Sequence, residues 1–358
     1  MGEHLSLNVH HRRWLMLLAL MLGAAVVAVS PLRAAERISF TITPLVSDQP
    51  GVAPNTDPNL VNAWGLTSSS TSPWWVADNG MSESTLYRGS DGLPQPQPNP
   101  LVVNVHDDPT GTVFNSTSGF GLPNGSLARF LFDTENGQVL GWNGGTNAVQ
   151  VADLGDGAVY KGLAIAVTSA GPRLYATDFH NGRVDVFDGS FGLVPNSGFD
   201  DPAIPSGYGP FGIQTIGNRV FVTYAKQDAD AHDDVAGQGL GFVDVYDTSG
   251  NLLDRVAQHG QLNSPWGLTI APDSFGRFAG DLLVGNFGDG NINAYVEHNG
   301  NFTHAGELRD ASGKSLTIDG LWALQVGQGG SNGPAGTLFF TAGPDGESHG
   351  LFGQINPS

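Results

Sequence analysis

The most chemically loaded stretch of the sequence is QDADAHDDVAGQG, residues 227–239. It crowds Asp228, Asp230, His232, Asp233 and Asp234 into one short segment. Carboxylates packed this closely repel one another, and a bound cation offsets that repulsion. In an extended loop, alternation points Asp228, Asp230 and His232 to one side. Oxygen ligands suit Ca²⁺ or another divalent cation, whereas an imidazole moves the preference toward a transition metal. Lys226, just upstream, is a competing source of positive charge, and a solvated acidic loop is the reading without a ligand.

The elements that would position this loop follow from an internal repeat. AWGLTSSSTSPWWVADNG from Ala63 has counterparts beginning at Tyr160, Pro210, Pro265 and Leu321. Each opens on a residue followed by Gly (Ala323 in the last) and an apolar residue, at Leu66, Leu163, Ile213, Leu268 and Leu324. The first spacing is about twice the others, so a unit is hidden inside it, and RFLFDTENGQVLGWNGG from Arg129 supplies its apolar runs. Six units result. Every unit consists of short Val-, Leu-, Phe-, Tyr- and Trp-rich runs between Gly/Asn/Asp turns, which is strand and hairpin chemistry. Fourth strands are expected at 99–105, 148–154 and 252–258. The sixth unit has none, and the spare strand RISFTITPLV, 37–46, lies at the other end of the chain. Docking it on the last unit closes a ring and removes two open edges. The expected fold is therefore all-β, a six-bladed β-propeller closed by an N-terminal strand and occupying residues 36–358. A pair of β-sandwiches is the alternative, and it accounts for neither the period nor the orphan strand.

In such a ring the loops leaving each second strand share a face with the aromatic–Gly openings. Aligned, they bring Asp78, Thr134, Asp178, Tyr224, Asn286 and Ala342 to one level, with Asn79, Glu135, Phe179, Ala225, Phe287 and Gly343 next. Asp78, Asp178, Asn286 and Glu135 join Asp228, Asp230, Asp233 and Asp234 as candidate ligands for a divalent cation at the channel mouth. Asn79, Lys161, His180, Tyr224, Lys226 and His232 are the candidate ligand-binding residues there. Asp and Asn also cap hairpin turns by bonding nearby backbone N–H groups, and that purely local role is the competing reading. Lys161 replaces the aromatic found at Trp64, Phe211, Trp266 and Trp322, which places its ammonium near Asp78 and Asp178 as an ion pair. The aromatics themselves read as blade-to-blade packing.

The period, the aromatic–Gly–Leu openings and the ADNG and TDFHNG exits resemble NHL-repeat and SMP-30/gluconolactonase-like propellers. NAWGL at 62–66, AKQDADAHDDVAG at 225–237 and SPWGLTIAP at 264–272 are similar to an uncharacterised family of exported bacterial propellers. The first likeness implies a divalent ion near the channel mouth, by position and without a shared spacing motif. The second implies the fold and no activity. Literal motif matches fail on context. GESHG, 346–350, lacks the strand-to-helix turn of a nucleophile elbow, and GYGPFG, 207–212, carries Pro210 where a phosphate-binding helix would start.

Composition narrows the function classes. The net charge of −19 disfavours nucleic acid and anionic membrane surfaces and favours cations. With no cysteine there are neither disulfides nor thiolate metal sites. Arg12-Arg13 before WLMLLALMLGAAVVAV, then Pro31 and Ala34-Ala35, follow the order of an export signal, expected over residues 1–35. The expected product is exported, periplasmic or extracellular, with no stable membrane insertion after cleavage. Two functions remain: a module binding a small molecule, glycan or protein at an acidic, cation-loaded mouth, or a metal-dependent hydrolase or lactonase.

Overall fold

The computed structural model describes residues 38–358; the expected export signal falls outside the described residues. Six antiparallel sheets follow one another along the chain as blades 1 to 6. Blade 1 comprises Ala63–Thr67, Trp74–Asp78, Glu83–Tyr87 and Val102–Asn104. Blade 2 comprises Pro109–Phe114, Phe130–Thr134, Gln138–Trp142 and Val149–Asp153. Blade 3 has three strands, Tyr160–Thr168, Gly171–Asp178 and Arg183–Asp188, with an isolated Phe187–Leu193 bridge at its outer edge. Blade 4 runs from Tyr208–Ile216 to Leu252–Gln258, and blade 5 from Pro265–Ile270 to Asn301–Glu307.

Blade 6 confirms the expected closure. Leu321–Val326, Leu338–Ala342 and Leu351–Pro357 are continued by the N-terminal Phe40–Ser47, antiparallel to the last. A two-residue strand, Asn55–Thr56, pairs parallel to Phe40–Ser47 as a fifth member that the repeat did not foretell. Both chain ends are thereby locked into one sheet, and the ring has no open seam.

The innermost strands also locate the hidden unit. Its opening is Thr110-Gly111, so six equivalent positions carry Trp64, Thr110, Lys161, Phe211, Trp266 and Trp322. The following glycine is there for space. A Cβ on Gly65 would stand 2.5 Å from the Thr110 carbonyl oxygen, and one on Gly212 would stand 2.2 Å from that of Trp266. At these glycines the inner strands of neighbouring blades approach to backbone contact, whereas blade 6 takes Ala323 at the equivalent place.

Six apolar clusters hold the ring, one in each gap between consecutive blades. Trp75 and Leu86 meet Phe130 and Trp142 between blades 1 and 2, and Phe221 and Val245 meet Leu268 and Val284 between blades 4 and 5. Outward-facing positions of one blade pack on inward-facing positions of the next, so each blade is buried on both faces except at its outer strand. The seam between blades 6 and 1 is filled by Leu45, Val46, Trp74, Tyr87, Phe339 and Phe352.

Candidate channel-mouth site

At the face where the inner strands begin, the opening aromatics turn toward the axis and meet one another. Trp64 stacks on Trp322 with centroids 3.6 Å apart, Phe287 stacks on Trp322 at 3.9 Å, and Trp266 and Phe211 close on them edge-to-face. Instead of packing blade to blade, these rings plug the channel. At the other end of the same strands a cavity of about 190 Å³ remains, lined in part by Thr67, Thr112, Gln214, Gln325 and Gln328.

Above the plug a chain of hydrogen bonds crosses five blades. Asn62 donates to Glu347 Oε2 at 2.7 Å and to Asn79 Oδ1 at 3.0 Å. Asn79 in turn donates to Glu135 Oε2 at 2.9 Å. The other Glu135 oxygen accepts from the Lys161 ammonium, which also reaches Asp233 Oδ1 at 3.2 Å. His232 Nδ1 lies 2.9 Å from that same Asp233 oxygen. The aromatics anchor this arc: Trp322 Nε1 donates to Asn62 Oδ1 at 3.1 Å and Trp266 Nε1 to the Lys161 carbonyl at 2.8 Å.

Lys161 is the hub. Its side chain is 1% exposed, and its ammonium lies 5.3 Å from the centre of the Trp64 ring. Burial alone would favour the neutral amine, but the carboxylates of Glu135 and Asp233 outweigh it and hold the group above its ordinary range. Asp233 opposes burial in the same way and is lowered by Lys161 and His232. Glu347 and Asp234, deeper in the mouth, are raised by burial.

The sequence candidates separate into two groups. Asn79, Glu135, Lys161, His232 and Asp233 are brought together. Lys161 pairs with Glu135 and Asp233, not with the Asp78 and Asp178 expected of it. The row one position earlier stays within its own blades. Asp178 caps its turn, accepting from Asn181 N at 3.1 Å and Asn181 Nδ2 at 2.8 Å, and Asn286 donates to Gln261 O and to Asp289. The Tyr224 hydroxyl lies 2.7 Å from that of Tyr246, inside the packing of blades 3 and 4. Asp78 is fully buried on a face of blade 1. Asp228 accepts from His232 N within its own loop, Asp230 and His180 are exposed, and the Lys226 ammonium covers the Tyr208 ring at 5.4 Å. Asn62 and Glu347 belong to the arc and escaped the sequence reading. Glu347 lies inside GESHG, on a turn between the second and third strands of blade 6, which is the signal that places it on this face.

Among the described residues, Glu135, His232 and Asp233 each bring one potential ligand atom within 4.8 Å of the others. The donor types suit a divalent cation, but the Lys161 ammonium already bonds both carboxylates. A metal fits here only by displacing that ammonium.

No protein-family model matches the chain. It is 32% identical over 334 residues to Uncharacterized protein R648 of Acanthamoeba polyphaga mimivirus, covering 88% of this chain and 80% of that protein. It is 30% identical over 346 residues to Uncharacterized protein L690 of the same virus, covering 88% and 86%. These relatives are viral, where the sequence likeness pointed to bacterial proteins. Among solved structures, a streptogramin B lyase superposes at a TM-score of 0.52 and 12% identity, covering 89% of this chain and 98% of that one. That likeness concerns the fold alone. A gluconolactonase from Xanthomonas campestris, 16% identical over 64% of this chain and 83% of its own, reaches a TM-score of 0.40 and carries no inference about chemistry.

Proposed function

This chain belongs to the family of the mimivirus proteins R648 and L690, and we propose that it is a binding module whose channel mouth takes a ligand bearing a positive charge. The observation that carries this reading is the arc from Glu347 to His232, in which side chains of five blades meet over an aromatic plug. Carboxylates outnumber the single buried ammonium, and the Asp233 side chain, 67% exposed, faces solvent with His232. An amine of a small molecule, a glycan or a protein segment finds there a carboxylate, an imidazole and amides that are already positioned. The excess negative charge argues against nucleic acid as partner. Export through residues 1–35 is part of the proposal, and recovery of a secreted chain beginning after Ala35 would support it.

The test is a panel of amine-bearing and neutral sugars and short peptides titrated against the full chain, with tryptophan fluorescence as readout. Amine-bearing probes are expected to bind, and Asp233→Asn to weaken them by about tenfold, the equivalent of about 1.4 kcal/mol. Equal binding of neutral probes, untouched by Asp233→Asn, sinks the reading.

A second reading rests on the Glu135, His232 and Asp233 grouping. In it a divalent cation replaces the Lys161 ammonium and the protein is a metal-dependent hydrolase or lactonase. The bound ion would polarise a carbonyl. Lactone and ester hydrolysis in excess calcium or manganese, lost in His232→Ala, supports it; no turnover with either metal removes it.

A further inference from the structure

The channel has a second end, and its chemistry is the reverse of the mouth's. The cavity of about 190 Å³ there is walled by residues of blades 1, 2, 3, 4 and 6, and none of the described side chains lining it is charged. Two positions past each opening glycine, or past Ala323 in blade 6, the inner strands carry Thr67, Val113, Ala164, Gln214, Thr269 and Gln325. The two glutamines are the long polar members of that row. They line both this cavity and a void of about 20 Å³ that also touches Trp266 of the plug. Their amides therefore stand at the axis, between the aromatic plug and the cavity. Gln328, a third amide of the wall, is exposed and marks the outer rim.

Hydrogen-bonding capacity is concentrated on this wall. Each carboxamide offers two donors and a carbonyl acceptor. Thr112 gives its hydroxyl hydrogen to the Leu131 carbonyl at 3.1 Å, and Thr67 Oγ1 accepts from Phe114 N at 3.2 Å, so each hydroxyl keeps the other half of its capacity. Ser68 Oγ, Thr215 Oγ1 and Trp74 Nε1, on lining residues, are buried without a hydrogen-bond partner among the described residues. Phe114 and Ile165, both half-buried, add apolar surface. An ion entering here would give up its hydration and meet no counter-charge. A purely apolar molecule would strand the amides and hydroxyls. The wall suits an uncharged molecule whose hydroxyls, each both donor and acceptor, surround an apolar body.

We propose that this end of the channel is a second ligand site, for a single neutral sugar ring, with Gln214 and Gln325 as its specificity-determining residues. The two amides pair with ring hydroxyls, Thr67 and Thr112 take further ones, and Phe114 and Ile165 cover the C–H face of the ring. The volume equals that of about six waters at roughly 30 Å³ each, which limits the site to one ring. The aromatic plug lies between this site and the mouth, so the inference does not depend on what the mouth binds.

The experiment titrates the full chain by calorimetry with glucose, galactose, mannose and N-acetylglucosamine, and with cyclohexanol as a ring lacking most of the hydroxyls. At least one of the sugars is expected to bind, at one site per chain. It should bind more weakly than amine-bearing probes at the mouth, because hydrogen bonds between neutral groups are weaker than charge-assisted ones. Gln325→Met and Gln214→Met keep the side-chain length and remove the amide, and each should weaken the sugar about tenfold. If one of these variants does not fold, the other decides. Asp233→Asn, at the mouth, should leave sugar binding unchanged. The site is overturned if none of the four sugars binds, if cyclohexanol binds as well as they do, or if both glutamine variants bind like the parent. Loss of sugar binding in Asp233→Asn also overturns it, because the sugar would then sit in the mouth.

Discussion

Blades 1 and 3 are built on the same plan and differ in charge at three matched positions. Where blade 1 opens with Trp64, blade 3 opens with Lys161. Where blade 1 pairs Asp78 with Glu83, blade 3 pairs Asp178 with Arg183. Thr85 is matched by Asp185. Both changes have one direction: blade 3 carries positive charge at the mouth and on its inner face, and blade 1 carries none. The Lys161 ammonium is shared with blade 2 through Glu135 and with blade 4 through Asp233, and it covers the Trp64 ring of blade 1. A repeated sheet thus acquires function by local exchange of charge, and its strands stay where they were. The difference also separates two kinds of buried acid: those paired with a cation of the chain and those that burial pushes toward the neutral form.

The sharpest test of that division is Lys161→Met. It leaves Glu135 buried beside a chain of amides with no counter-charge, and the loss is expected to be about 3 kcal/mol in urea unfolding, reduced from the value of a wholly buried pair because Asp233 is exposed. Adding Glu135→Gln should restore part of it, since the second change removes the stranded charge. A single variant within about 0.5 kcal/mol of the parent would mean that Lys161 is not the hub described. The glycines that follow the two openings give the next largest contrast. A Cβ on Gly65 meets backbone at 2.5 and 2.8 Å, and one on Gly162 meets the Phe211 carbonyl at 2.9 Å and a hydroxyl at 3.3 Å. Gly65→Ala is expected to cost about 3 kcal/mol and Gly162→Ala about 1 kcal/mol. Equal losses would show that the blades are free to shift apart.

Much of this could be read from the sequence where a local pattern decided the outcome. Apolar runs between Gly/Asn/Asp turns specify hairpins directly, and the Gly after five of the six openings marks a close approach of inner strands. The strand left over at 37–46 had one place to go. The hidden unit escaped at its opening because Thr110 replaces the aromatic, so only its later strands were legible. The mouth was legible to within one residue. Counting put Asp78, Asp178 and Asn286 one level before Glu135 and offered both levels as ligands, but in a twisted strand successive side chains leave opposite faces. The residues just after the strands, Asn79 and Glu135, are the ones that reach the arc. Asn62 and Glu347 are joined to it only by the closure of the ring, a contact between distant parts of the chain that no local pattern carries.

Removing the charge from the inner face of blade 3 should cost less than removing it from the mouth. Arg183 serves Asp156, Asp178 and Asp185, but its own side chain is 42% exposed. Water therefore takes over part of its role, and Arg183→Met is expected to cost about 2 kcal/mol. Glu83→Met, at the matched position in blade 1, should be neutral or stabilising, because it removes one of the like charges beside Asp78. If Glu83→Met destabilises as much as Arg183→Met, the two faces are not opposites.

The smallest effect is one of pH, and it separates a neutral acid from an ion-paired one. Burial, with the charges of Asp57 and Glu83, outweighs the opposing influence of Thr85 and holds the Asp78 carboxyl well above its ordinary range in the folded protein. Asp178 is also raised by burial, but its bonds to Asn181 and the charge of Arg183 work against the shift. A carboxyl whose folded pKa exceeds its unfolded one binds its proton more tightly when folded. Its contribution is fully present below the unfolded pKa of about 3.9 and is lost as pH rises through the folded value. The parent should therefore lose stability as pH is raised from about 4 toward neutrality, and Asp78→Asn, which imitates the neutral acid, should flatten that slope. Asp178→Asn should leave most of it. Unfolding curves across that range measure both slopes; an Asp78→Asn slope equal to the parent's would mean that Asp78 keeps its charge by some other partner and that blade 1 is neutralised from within, as blade 3 is.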